Sequence, residues 1–289
     1  MAENEYQRRE AEEIGCDGLL GGIARNLYSH REIHASIATK ADGPFYCPTC
    51  HSDALIHKCI EKQDHFAHIA RLSPTIGPKE SALHYQCKTE LCSLLRKAHP
   101  GGNWDIERPI KENKEKKIPE LRPDVSGRIN GIPIAIEVQA SALSITNIFK
   151  RTSGYAKRGI AILWLVPLYK PLGDQPFRPR LYERYFHSLY FGRTYYWWAD
   201  QGLVLKPVHY DIATRHIEYK EWYENGALMT GGDYEANYRI IKNPLYGPDA
   251  KIDTNFIREP RPQFTPINER KTVPASIIWH DTHSSWWKK

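Results

Sequence analysis

Between residues 83 and 98 the apolar side chains recur at helical spacing. Leu83, Cys87, Leu91, Leu94, Leu95 and Ala98 share one face of a 3.6-residue wheel, which predicts a helix from about Lys79 to Ala98. His99-Pro100-Gly101-Gly102 supplies its stop, with Pro and Gly where a helix end needs them. Asp105 to Lys111 then reads as a strand. Two further strands follow in RPDVSGRINGIPIAIEVQAS (Arg122–Ser141), joined at Asn130-Gly131, the strongest short signal for a type I′ hairpin turn. Leu143 to Arg158 has the pattern of a second helix, closed by Gly159. Ile160–Pro167, IAILWLVP, is a short unbroken apolar run, as expected of a strand buried on both faces. Residues 79–167 therefore predict helix, strand, strand, strand, helix, strand: an α/β module in which a crossover helix adds the last strand to a mixed sheet.

Outside this module the pattern changes. Residues 1–43 are weakly patterned, and residues 44–72 hold a compact Cys/His cluster. Residues 168–289 are crowded with Pro, Tyr and Trp and predict a β-rich C-terminal region, with an irregular tail after Pro244. The four units expected are thus 1–43, 44–72, 79–167 and 168–289. The aromatic run Tyr195-Tyr196-Trp197-Trp198 shows no alternation, and packing inside a β domain is favoured for it over stacking on bases.

Composition narrows the class. With 41% hydrophobic and 26% charged residues the chain has the make-up of a soluble globular protein. The net charge of +6 permits a nucleic-acid partner without requiring one. The first residues, MAENEYQRREAEEIG, lack an apolar segment, and no run approaches the roughly 18 apolar residues of a membrane span. A cytoplasmic location with reduced thiols, and no membrane partner, is the expectation. The six cysteines then read as metal ligands or core residues rather than disulfides.

The hairpin carries the chemistry. Counting back from Ile129 opposite Ile132, Asp124 falls opposite Glu137 on one face, and Gln139 shares that face across from Arg122. Two like charges face to face are destabilising, and a hard divalent cation such as Mg²⁺ (or Mn²⁺) would neutralise both. The preceding helix adds Glu80, His84 and Lys88, spaced i, i+4 and i+8 beside its apolar stripe. Upstream, Cys47-x-x-Cys50 is followed after 14 residues by His65-x-x-His68, two ligand pairs with the spacing of a tetrahedral Zn²⁺ site. His51, His57 and Cys59 lie near enough to substitute. Four protein ligands leave no open position, so such a zinc would be structural.

The ordered set CPTC, HFAH, ESALHYQCK, RPD, IEVQAS, then Arg151 and Tyr155 with WLV after them, resembles the competence protein CoiA-like family, and RPD…EVQ resembles the PD-(D/E)XK nuclease motif. The resemblance implies a restriction-endonuclease-like core, preceded by a zinc-binding module and followed by the aromatic region. It implies metal-dependent hydrolysis of DNA phosphodiester bonds in DNA processing or natural transformation. DNA, single-stranded during uptake, is the implied partner, with recombination or DNA-uptake proteins beside it. Asp124 and Glu137 would hold Mg²⁺ or Mn²⁺, with Glu80, His84 and Lys88 completing the catalytic group. Arg122, Ser141, Arg151 and Tyr155 would meet the nucleic acid. The third motif position is Gln139 where the superfamily has Lys, and Gln carries no charge. Lys88 is the candidate to supply that cation, and a DNA-binding fold that does not cut is the alternative.

Overall fold

In the computed structural model the described residues are 18–49, 53–60, 63–69, 82–114, 118–140, 145–217, 219–224, 226–266 and 272–288. The sequence expectations for Cys50, His51, Glu80 and Ser141 lie outside them. Two compact units emerge. One comprises residues 1–72, 175–179 and 212–243; the other comprises 73–174, 180–211 and 244–289.

The first unit holds β1 (Ile23–Asn26), β2 (Glu32–His34), β3 (Phe45–Tyr46), β4 (Asp53–His57) and β5 (His65–His68), an antiparallel sheet in the order β2-β1-β3-β4-β5. Its strands are short, and alternation decides which side chains go inward: Ala54 and Ile56 of β4 are buried while Asp53, Leu55 and His57 are exposed. Ala24, Phe45, Cys47 and Phe66 complete this small core.

The second unit begins with α1 (Ala82–Ala98), whose Leu83, Cys87, Leu91 and Leu95 are buried as the wheel requires. It continues with β6 (Asp105–Ile106), β7 (Val125–Ile129), β8 (Ile132–Val138), α2 (Ile145–Ala156) and β9 (Ala161–Pro167). This is the expected order of elements. β6, β7 and β8 are antiparallel neighbours, and β9 joins β8 in parallel after α2. Every residue of β9 is buried, with α1 and α2 both packed against it. At the hairpin tip Asn130 and Gly131 have φ of 50° and 80°, the doubly left-handed geometry of a type I′ turn. Gly127 of β7 has no room for a Cβ, because the Trp104 ring lies against it.

The first strand is shorter than the sequence pattern suggested. Regular strand pairing ends at Ile106, where Glu107 adopts φ of 49° and Pro109 follows with no N–H to donate, and it returns as an isolated bridge between Ile110 and Leu121. The C-terminal half also differs from the expected separate domain and irregular tail. It supplies α3 (Leu181–Leu189), β10 (Thr194–Trp197), β11 (Val204–Ile217), β12 (Lys220–Glu224), β13 (Ala227–Gly231), β14 (Tyr234–Tyr246), β15 (Ala250–Lys251), β16 (Phe256–Arg261) and β17 (Ser276–Asp281). β11 and β14 have residues in both units, and β12 pairs only with β13. In the second unit β10 lies parallel to β9 at Val166 and Pro167, and β17 meets β9 at Ile162. Thr194–Trp197 lacks alternation because all four side chains are buried. Trp286 and Trp287 are not a loose tail: the Arg193 guanidinium lies 5.3 Å from each ring. Among the described residues, no helix is long and apolar enough to cross a membrane.

Candidate functional site

The hairpin register runs from Ile129 opposite Ile132 to Val125 opposite Ile136. One step further stand Asp124, at the mouth of β7, and Glu137, inside β8. The two acids are treated differently by their surroundings. Asp124 Oδ2 accepts the Val138 N–H at 2.8 Å, and Oδ1 lies 3.4 Å from His84 Nε2. Its side chain keeps 18% exposure. Glu137 is 3% exposed. Its Oε1 accepts from Arg151 Nε at 3.1 Å, and also from Arg151 Nη2 and the Tyr155 hydroxyl.

Arg151 and Tyr155 reach the same oxygen because they are four apart on α2. Arg151 Nη2 is fixed further by the Arg122 carbonyl at 2.8 Å. The Arg122 side chain itself is exposed. Tyr155 is fully buried, so it acts on Glu137 and does not reach a nucleic-acid surface as the sequence expectation had it. Arg151 retains 30% exposure. Gln139 is 5% exposed and its backbone N–H donates to the Leu165 carbonyl at 2.8 Å, which fixes the motif's third position beside β9.

Burial, and next the Asp124 charge, push the Glu137 carboxyl up to about 8, against the opposing pull of Arg151 and Tyr155. A carboxyl raised in the folded state is favoured there in its protonated form. Its contribution to stability is therefore complete below the unfolded value near 4.5 and is lost as pH rises through about 8. With chelator present, the urea midpoint of the wild type should fall between pH 5 and pH 8.5, and Glu137→Gln should flatten that fall. Equal pH dependence in the two proteins would show that Glu137 is not the titrating group. Tyr190, whose hydroxyl accepts the Trp164 N–H at 2.7 Å, is also pushed up, by burial, with a smaller contribution from Glu137.

From the other side, α1 presents His84 to Asp124 and, one turn on, Lys88. Lys88 is 3% exposed and its ammonium pairs with the Glu107 carboxylate. Glu107 escaped the sequence reading. Its N–H donates to the Asp124 carbonyl at 3.1 Å, which sets its backbone beside that of Asp124. The signal available was an acid within the apolar-flanked DIERPI. What hid it was the long connection to β7, which gives no register.

The ligand atoms that Asp124 and Glu137 offer are carboxylate oxygens, and Glu137 is raised by burial and by a like charge. Both features fit a hard divalent cation. Among the described residues no three His, Cys, Asp or Glu side chains form a metal-binding group.

Of the Cys/His cluster of the first unit, Cys47, His65 and His68 are described and Cys50 is not. Cys47 is buried, its sulfur accepts the Thr49 N–H at 3.4 Å, and a Cβ on Gly18 would meet it at 2.6 Å. In β5, His65 lies opposite His57 and His68 opposite Ala54. His65 stacks on His57 with ring centroids 5.2 Å apart, and its Nδ1 lies 3.9 Å from Cys59 Sγ. His65 and Phe66 are buried and His68 is half-buried, and the substitutes His57 and Cys59 gather at His65.

Residues 80–194 match a family model described as Competence protein CoiA, nuclease-like domain, and residues 27–74 match Competence protein CoiA, N-terminal domain. A curated relative, Competence protein CoiA of Bacillus subtilis (strain 168), is 31% identical over 123 residues, which is 42% of this chain. The match spans only 31% of that protein's length. No solved structure matches the chain. The two domain models follow one another in the family's order and between them take in more than half of the 289 residues, so the chain belongs to the competence protein CoiA-like family.

Proposed function

We propose that the second unit is a divalent-metal-dependent DNA nuclease of the PD-(D/E)XK type, serving DNA processing in competence. The observation that carries this reading is the placement of Glu137: a buried carboxyl opposite Asp124 in the hairpin register, raised by burial and next by the Asp124 charge, and held by Arg151 and Tyr155. A site built only for stability has no use for two adjacent acids, which repel. A phosphodiester nuclease does, because the pair can share a cation.

Asp124 and Glu137 would hold Mg²⁺ or Mn²⁺. When bound, such an ion supplies an activated water and offsets charge on the phosphate. The chain's own residues do the rest. Arg151 and Tyr155 fix one oxygen of Glu137, which leaves its second oxygen to turn toward the site. Val138 N–H and His84 orient Asp124. Arg151, partly exposed, is available to a phosphate oxygen as well. Lys88 supplies a cation that Gln139 cannot.

The test is incubation of the purified chain with labelled single-stranded and double-stranded DNA in Mg²⁺, Mn²⁺ or EDTA. Cleavage with either metal and none in EDTA is the expected result. A second reading has one observation in its favour: Gln139 stands in the lysine's place and Arg151 already neutralises Glu137. On that reading the unit binds DNA without cutting it. Binding with no cleavage under any metal would establish this alternative and overturn the nuclease.

A further inference from the structure

Three features meet at Glu107. First, it continues the β6–β7 register: Ile106 pairs with Val125, and the Glu107 N–H then donates to the Asp124 carbonyl at 3.1 Å. Second, its φ is 49°, in the left-handed region that non-glycine residues enter at a cost of about 1 kcal/mol. That backbone turn ends β6. Third, its carboxylate meets the ammonium of Lys88, which is 3% exposed. A lysine removed from water to that degree needs a partner to stay charged. Glu107 itself is 46% exposed, so the pair joins a buried ammonium to a carboxylate in contact with solvent.

We propose that Glu107 is a positioning residue for the reaction. It holds the Lys88 ammonium beside Asp124, so that a helix lysine and a strand acid together replace the strand lysine missing at Gln139. The inference rests on the nuclease reading, and it goes further by naming which group fixes the cation. Asp105, two residues earlier in β6, also reaches α1, through Arg96, so both acids of this segment are paired with that helix. Lys88 lies one helical turn beyond His84, and His84 touches Asp124, so the helix and the strand approach the same carboxylate from two directions.

A merely structural ion pair would predict lost stability and unchanged turnover, so the experiment separates kcat from KM. Glu107→Gln keeps the size and removes the charge. Its kcat on labelled DNA in Mn²⁺ should fall about 10–100-fold, with KM for DNA unchanged. Lys88→Met should fall equally, and the double variant should be no slower than either single one. Glu107→Asp should restore most of the rate, since Asp keeps the charge and tolerates the left-handed region. Wild-type kcat in Glu107→Gln, with a lowered melting temperature, would overturn the proposal and leave the pair structural. A second readout does not need turnover. In the wild type, Mn²⁺ should broaden the side-chain NMR signals of Lys88, and in Glu107→Gln it should broaden them less. No broadening in the wild type would overturn the proposal even in a protein that cuts DNA. Broadening without cleavage would remove the nuclease reading and keep Glu107 as the residue that holds Lys88 at the metal.

Discussion

Asp124→Asn should abolish metal-dependent cleavage while leaving the fold intact. The expected loss is several kcal/mol of transition-state stabilisation, about 10³-fold or more in rate. Asparagine is the informative replacement because of the second bond that Asp124 makes. Its Oδ2 accepts the Val138 N–H at 2.8 Å, and an amide oxygen can accept the same bond. Alanine would leave that N–H unpaired at a cost of about 1–3 kcal/mol and would mix a folding defect with a chemical one. The asparagine variant also removes the second of the two effects that raise Glu137, so the pH dependence of stability should shift to lower pH in the same protein. Glu137→Gln should lose cleavage by a similar factor. Melting temperatures close to wild type, together with lost turnover, are the expected combination. If Asp124→Asn cuts DNA at the wild-type rate, the two carboxylates are not the metal site and the proposed function fails.

The parts of the site that were legible in the sequence share one property: local register. Asn130-Gly131 admits one turn geometry, and the turn alone fixes which residue of β7 faces which residue of β8. His84 and Lys88 were legible for the same reason, since the helical period ties them to the buried Leu83 and Cys87. Glu107 was not legible. Its position depends on an edge pairing of only two residues and on a single left-handed backbone angle, neither of which leaves a periodic trace. The role of Arg151 and Tyr155 was half legible. Their i, i+4 spacing said that they act together, but their target depended on the crossover that brings α2 over β8. The zinc expectation rests on spacing alone, which counts residues without saying on which face of a strand they fall, and one of its four ligands, Cys50, lies outside the described residues. The C-terminal strands β16 and β17 were missed because Pro260 and neighbouring Pro262 argue against a strand interior. As an edge pairing partner of β17, β16 tolerates them.

The largest stability effect is expected far from the carboxylates, at Asp281. This residue is 1% exposed at the end of β17. Its Oδ1 accepts from Arg193 Nη1 at 2.8 Å and from the His283 N–H at 2.9 Å, and its Oδ2 accepts the Tyr195 hydroxyl at 2.7 Å. Arg193 is 4% exposed. Removing one partner of such a pair leaves the other charge buried, which costs about 3–5 kcal/mol. Asp281→Ala should therefore lower the melting temperature by roughly 6–20 °C, at about 2–4 °C per kcal/mol for a chain of this size. The loss should change little between low and high salt, because a pair out of contact with water is weakly screened. The companion variant replaces Arg193 and Asp281 together by leucine. It should recover much of the stability, since apolar replacement of a whole buried pair is often neutral. A drop of under about 1 kcal/mol in Asp281→Ala would mean that the guanidinium finds water or another partner. The consequence for the site runs through β9, which β17 meets at Ile162 while its other edge carries β8 and Glu137. Cleavage by Asp281→Ala measured well below its melting temperature should keep the wild-type kcat, since no atom of the network touches Asp124, Glu137 or Arg151.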